Sequence, residues 1–504
     1  MAKPNGGIIG PSNVPTGQYG GTASGVWRLR DAFNYLKAGL WPGFATYPVA
    51  NSLRFNSGSS DYLDRTPSTT TDRQKATLSF WTKYSDDTSG NVGRLFNFGL
   101  YPNGTLIYFG DGVYKGKLLI DNYAATVATI GLVTTQLFRD YSAWYHIVVA
   151  FDTTQATASN RVKLYVNGTQ VTTFDAAVYP SQNENLFFNF SSSTYQIGKN
   201  HQPAYFSGYL AETNMIDGQQ LTPSSFGQTD SATGIWTPLP FTGTFGTNGF
   251  FLKFQDSSAL GDDTSGNGND FTVNNLTSVD QSTDTPTNNF ATFNPLFTPS
   301  PSNVSTFTEG NLKIATNSTS QNSDGYSTIG LTSGKWYGEF KLIAEASGES
   351  NCGVKNNIEN PTTNGLHGVG GFCVSSNGNS FDNGSSQGAG NFSDTYTTTD
   401  IISIALDLDN NKVYFAKNGS WTNGTGSWNQ ANPTGFFTLT ASQTYFMGVG
   451  DKSTSQSSTW EANFGNPPFT ISSGNADAEG FGNFEYAVPS GYFALCTKNL
   501  AEYA

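Results

Sequence analysis

Trp144-Tyr-His-Ile-Val-Val-Ala-Phe-Asp152, a polar loop, and then Asn160-Arg-Val-Lys-Leu-Tyr-Val-Asn-Gly-Thr-Gln-Val171 form the stretch whose reading decides the fold. Residues 145–151 are a nearly continuous apolar run of strand length, and residues 161–166 alternate. Val162, Leu164 and Val166 fall on one face and Arg161, Lys163 and Tyr165 on the other. Asn167-Gly168 supplies the positive φ angles of a tight primed turn, so Val171 belongs to a return strand. The stretch predicts the central hairpin of an antiparallel sandwich.

The same grammar recurs between Asp400 and Gly419. Ile402, Ile404, Leu406 and Leu408 share a face, Asp409-Asn410-Asn411 turns the chain, and Val413 and Phe415 lead to Asn418-Gly419. Two such hairpins, far apart in the chain, imply two all-β domains. Composition agrees: charged residues are only 12%, aromatics reach 14%, and 56 glycines punctuate the chain, a mix that suits strands and turns better than helices.

The expected fold is all-β: two antiparallel, jelly-roll-like β-sandwich domains, a polar connector, an extended N-terminal arm and one short helix. Residues 1–48 are the arm, Gly- and Pro-rich at first, with a helix from Ser24 in which Val26, Leu29, Phe33 and Leu36 recur at helical spacing. So short a helix needs a surface to dock on. Val26, Trp27, Leu29, Phe33, Leu36 and Trp41 are therefore the candidate anchor to a partner, with packing on the chain's own first domain as the alternative. Residues 49–226 are the first sandwich, 227–300 a polar connector with one strand in Thr247–Phe254 and an acidic Gly-rich loop, 301–475 the second sandwich, and 476–504 a closing strand or docking tail.

A net charge of −13 excludes a nucleic-acid surface, whose affinity comes from Lys and Arg. No run approaches the ~18 apolar residues of a membrane span, and Met-Ala-Lys-Pro-Asn-Gly-Gly lacks a leader's apolar core, so synthesis in the cytoplasm is expected. Cys352, Cys373 and Cys496 are odd in number with no metal-knuckle spacing and read as free, mostly buried thiols. Asp262, Asp263 and Asp270 in a Gly-rich loop read either as structural turns or as a Ca²⁺ site; the loop lacks the EF-hand glycine and glutamate.

No catalytic constellation, metal set or cofactor motif emerges. The three histidines are far apart in sequence, His146 sits in an apolar strand, and Glu212 and Asp217 lack the spacing of a glycosidase carboxylate pair. The binding candidates are Trp421 and Trp428, with Asn423 between them, in a loop of small polar residues. There an exposed indole would offer a flat face to a sugar ring, with the alternative that one or both tuck under the loop and cap the core. His201 and Tyr205, in the loop 199–206, are the second candidate.

Three resemblances add to this. Leu53-Arg-Phe, Leu78-Ser-Phe-Trp, the 144–152 strand, Val162-Lys-Leu-Tyr-Val-Asn-Gly, Gln196-Ile-Gly and Gly208-Tyr-Leu-Ala-Glu resemble the laminin-G-like branch of the concanavalin A-like lectin superfamily, which implies a sandwich and says little about ligand. Gly334-Lys-Trp-Tyr-Gly-Glu, Ile404-Ala-Leu-Asp-Leu-Asp and Asn463-Phe-Gly are similar to the SPRY domain, a recognition module. The segment from Phe245 through Leu296, with Gly25-Val-Trp and Lys37-Ala-Gly-Leu-Trp-Pro, resembles structural proteins of marine tailed bacteriophages. That last resemblance implies a non-enzymatic protein on the virion surface, a tail-fibre or tail-associated adhesin. It would contact other virion proteins through its arm, form a homo-oligomer, and meet a host-surface glycan or protein. A head decoration and a glycan-degrading enzyme are the alternatives.

Overall fold

In the computed structural model, the residues described are 29–37, 47–85, 93–100, 102–200, 204–231, 233–297, 305–316, 323–346, 348–356, 365–452 and 456–504. Among them the chain is nearly all β, with α-helix only at Leu29–Lys37 and Thr497–Tyr503. No helix among these residues is long and apolar enough to cross a membrane.

The first sandwich stacks two antiparallel sheets. One runs, in spatial order, Thr169–Val171, Val162–Val166, Tyr145–Asp152, Lys75–Tyr84, Gly208–Asp217, Ser52–Phe55 and Gln281–Ser282, with Phe250–Leu252 also paired to Gly208–Asp217. The other runs Phe174–Val178, Val127–Thr134, Leu118–Ala124, Gly104–Phe109, Gly93–Phe98, Tyr195–Ile197, Tyr62–Arg65 and Thr272–Asn274. Between them Leu78, Phe80, Ile147, Val149 and Leu210 of the first sheet meet Phe96, Ile107, Ile120, Leu132 and Ile197 of the second in one buried core.

Asn167 and Gly168 adopt φ of 46° and 80°, the primed turn the sequence predicts. Its position differs from the expectation: Val162–Val166 and Thr169–Val171 are the edge of the sheet, and the centre is Lys75–Tyr84 against Gly208–Asp217. The apolar run 147–151 is continuous because both of its faces are covered. Ile147, Val149 and Phe151 enter the main core, while Val148 and Ala150 pack under Phe226.

The expected connector is a second correction. Phe250–Leu252, Thr272–Asn274 and Gln281–Ser282 each pair with a strand of the first sandwich, and Phe250, Leu252, Phe254, Leu260, Phe271 and Leu276 lie in its core. The polar turns between these short strands hide the contribution. Within the acidic loop, Asp263 accepts from the backbone amides of Phe251, Ser265 and Asn269, and Asp270 accepts from the Asp263 amide. These carboxylates hold turns, the first of the two readings.

The second sandwich packs a ten-stranded sheet on a six-stranded one. The larger centres on Ser458–Asn463, Lys335–Glu345, Ile401–Asp407 and Lys412–Lys417, and the smaller on Phe446–Asp451, Ser350–Lys355 and Gly371–Ser375. Trp336, Phe340, Ile402, Ile404, Phe415, Met447 and Trp460 fill the space between them. The outer face of the larger sheet is buried as well. The C-terminal segment returns over it, Phe493–Ala494 pairs in parallel with Trp336–Tyr337, and Tyr337, Ala405, Ala416 and Trp421 pack against Phe484 and Tyr492. Glu339, wholly buried, fastens this segment by accepting from the amides of Glu485 and Tyr486, each at 2.9 Å. All three cysteines are free and buried.

Candidate functional site

The second sheet of the first sandwich has an outer face that its own alternation makes polar and aromatic. Ile107 and Phe109, and Leu118 and Ile120, point into the core. The residues between them point out, since successive strand side chains alternate. Register pairing aligns Asp121 with Leu106, Leu106 with Asn97, Asn97 with Gln196 and Gln196 with Asp64. Directly paired residues share a face, so one row of side chains crosses five strands.

A cavity of about 300 Å³ opens on this face, lined among others by Arg94, Asn103, Tyr108, Asp121, Tyr123 and Asn200. Tyr108 donates its hydroxyl to Asp121 Oδ2 at 2.6 Å, and Tyr123 reaches the same oxygen at 3.4 Å. The Arg94 guanidinium lies over the Tyr108 ring, 4.1 Å from its centroid, and its Nε is buried without a hydrogen-bond partner among the described residues. Burial raises the Asp121 carboxyl above its usual range, against the two phenol hydrogen bonds and the Arg94 charge, which lower it. Burial likewise raises the Tyr108 hydroxyl, with Asp121 adding to the shift.

The rim is strained. Ala125 and Thr126 both hold positive φ, 50° and 71°, where a turn ordinarily uses Asn-Gly. Asn103 Oδ1 accepts the Ala125 amide at 2.8 Å, and Pro102 O accepts the Thr126 amide at 3.1 Å. Across the row, Tyr62 and Tyr205 sit with ring centroids 6.2 Å apart, and Lys199 Nζ lies 4.0 Å from the Tyr62 centroid. Aromatic faces beside a carboxylate acceptor, a guanidinium donor and amides are what a pyranose ring requires. Its C–H faces stack and its hydroxyls both donate and accept.

Of the residues expected to bind ligand, Trp421 is a correction. It is 5% exposed, paired with Ala416 and covered by the C-terminal segment, so its indole packs in a core. Trp428 is half-buried against the second core and donates Nε1–H to Asp394 O at 3.0 Å. Asn423 Oδ1 accepts from the amides of Thr425 and Ser427 and so builds its own loop. Tyr205 does lie on the polar face just described, while His201 falls outside the described residues. Of the anchor candidates, Leu29, Phe33 and Leu36 fall within the helix Leu29–Lys37, where Phe33 is 51% exposed. Val26, Trp27 and Trp41 lie outside the described residues. Sequence reasoning missed Arg94, Tyr108, Asp121 and Tyr123. The signal was there in the period-two alternation, which sets Tyr108 between Ile107 and Phe109 and puts Asp121 and Tyr123 on the face opposite Leu118 and Ile120.

Ser79 Oγ lies 2.9 Å from His146 Nε2, a pairing that resembles a nucleophile and its base. The tautomer rules that out. Trp236 Nε1–H, which can only donate, lies 2.9 Å from His146 Nδ1, so Nδ1 carries the lone pair and Nε2 the hydrogen, which it donates to Ser79. Burial also pushes the imidazole down to about 3, so it stays neutral. Stacked on Trp81 and held at its edge by the Trp236 hydrogen bond, His146 is a packed core residue. Asp217 accepts from Thr71 and from the Asn248 amide, a structural role. Among the described residues no group of three or more His, Cys, Asp or Glu could hold a metal ion.

A family profile described as the concanavalin A-like lectin/glucanases superfamily, Laminin_G_3, matches residues 57–225, within the first sandwich. No curated protein matches the chain. Solved structures similar to it include the SPRY domain of human HERC1, at 17% identity, covering 34% of this chain and 96% of that one with a TM-score of 0.25. The TRIM65 PSpry domain is similar at 13% identity, covering 34% of this chain and 88% of that one, also with a TM-score of 0.25.

Proposed function

We propose that this protein is a non-enzymatic adhesin whose first sandwich binds a neutral glycan on the outer face of its second sheet. The observation that carries the reading is the cavity in which Tyr108 and Tyr123 hold one oxygen of Asp121 while Arg94 stacks on Tyr108. Asp121 and Arg94 carry opposite charges in the one cavity, which leaves no net positive charge to hold an acidic sugar and favours neutral rings. The lectin-related profile over the same sandwich supports a binding role.

Spacing supports the absence of glycoside hydrolysis. Along the row the next carboxylate is Asp64, four strands from Asp121. At about 4.8 Å per strand that is about 19 Å, beyond the roughly 5–9.5 Å that paired glycosidase carboxylates require. On the phage-like sequence of residues 245–296, we place the protein on the surface of a tailed-phage particle. The helix Leu29–Lys37 is its contact to other virion proteins, self-association is part of that assembly, and the glycan belongs to the host surface.

Calorimetric titration with maltotetraose, cellotetraose, chitotetraose and trigalacturonate tests the binding reading. Binding of at least one neutral member, lost in Asp121→Ala and in Tyr123→Ala, is expected. No binding, or binding indifferent to both substitutions, refutes it. Reducing-sugar release from a bound member would restore the enzyme alternative.

A further inference from the structure

The seam between the two sandwiches is polar, buried and short of positive charge. Arg54, fully buried in strand Ser52–Phe55, donates Nη2 to Val279 O at 2.9 Å and Nη1 to Pro467 O, across the seam, at 3.2 Å. Its guanidinium lies 3.6 Å from Asp280 and 3.5 Å from Glu309, the latter carried by the second sandwich. A third carboxyl, Asp61, is 2% exposed; its Oδ2 accepts the Asn56 amide at 2.9 Å, and its Oδ1 has no partner among the described residues. Asn56 in turn donates its side-chain amide to Glu309.

The turn that reaches across is itself unusual. Glu309, Gly310 and Asn311 all hold positive φ, 52°, 64° and 66°, and Tyr209 of the first sandwich donates its hydroxyl to Gly310 O at 3.0 Å. Lys313 and Glu461 also face Glu309, but they pair with each other at 3.0 Å and so add little net charge. Two carboxyls therefore lie against one guanidinium, and a third, Asp61, is buried near them. With all three ionised the cluster carries two net negative charges in a site where Asp61 and Arg54 are buried while the seam is closed.

We propose that this seam is a proton-operated clamp, closed while Asp61 holds a proton and loosened when that proton leaves to solvent. Loosening lifts the 309–311 turn from Asn56, Arg54 and Tyr209 and frees the second sandwich to move against the first. Burial, with Asp280 and Glu309 adding to it, raises the Asp61 carboxyl to about 7 despite the Asn56 hydrogen bond and the Arg54 charge. A folded-state value raised above the free one means the contact is present at acid pH and lost as pH rises through about 7.

Hydrogen–deuterium exchange of the full chain, read as protection factors from pH 6.0 to 8.5, tests this. Protection in residues 56–61 and 309–313 is expected to fall at least tenfold across that range, while protection in strand Lys75–Tyr84 stays level. Asp61→Asn, which cannot ionise, is expected to keep both segments protected throughout. If that variant does not fold, Glu309→Gln is read by the same criterion. Protection independent of pH in the native protein, or an undiminished fall in the variant, overturns the clamp.

Discussion

At Asp121, two phenols fix one carboxylate oxygen, and the bond from Tyr108, at 2.6 Å, is the shorter. Hydrogen bonds to charged groups contribute about 1.5–3 kcal/mol. Tyr108→Phe keeps the ring under Arg94 but drops that bond, so the affinity for the best-bound neutral tetrasaccharide is expected to fall roughly ten- to hundredfold. The melting temperature should fall too, because Asp121 is buried and loses one of its two phenol donors. Trp421→Ala should affect stability alone. Removing an indole from the cluster around Tyr337 and Phe484 costs about 3–5 kcal/mol and leaves glycan affinity unchanged. The contrast explains what could be read at this scale. An indole among Gly, Ser and Asn reads as exposed because nothing near it in sequence reports that residues 481–494 return to cover it. Tyr108 and Asp121 needed only the alternation around them to be placed on an outer face.

Among elements, both Asn-Gly hairpins were legible, since the positive φ of Asn167, Gly168, Asn418 and Gly419 is a local requirement. Their place in the sheet was not, because edge or centre is decided by pairing with strands sixty or more residues away. The strand within Thr247–Phe254 was legible, but its pairing with the first sandwich was not, for the same reason. Thr272–Asn274 and Gln281–Ser282 were missed, since three and two residues are too few for a periodic signal. Two outcomes follow from where these elements pack. A chain of residues 47–226 should fail to show a cooperative melt by circular dichroism, whereas residues 47–297 should show one, because the longer chain restores Phe250, Leu252 and Phe271 to the core. Glu339→Gln should make residues 470–496 the first site of limited proteolysis. The new amide sets its N–H donors either against the Tyr486 amide or against those of Glu485 and Asn463, which costs about 1–3 kcal/mol.

For the whole molecule, buried acids set the pH response. Burial raises Asp61, Glu212 and Asp324 each to about 7, from ordinary values of 3.8 to 4.5. Raised folded-state values place the stabilised, protonated form at low pH, so this contribution is complete below the unfolded values and lost as pH rises through about 7. The melting temperature is therefore expected to fall between pH 5 and pH 8 in scanning calorimetry, and a rise would contradict the assignment. The two-sandwich architecture was visible in composition and patterning. The seam was not, since Arg54 and Glu309 meet only after both domains have folded. The most direct measurement of the central claim is calorimetric titration of the native protein and Asp121→Ala against the neutral and acidic oligosaccharides named above. Saturable binding of a neutral member by the native protein, with none by the variant, is predicted. Equal binding by both, or preference for trigalacturonate, would contradict a neutral-glycan site at this cavity.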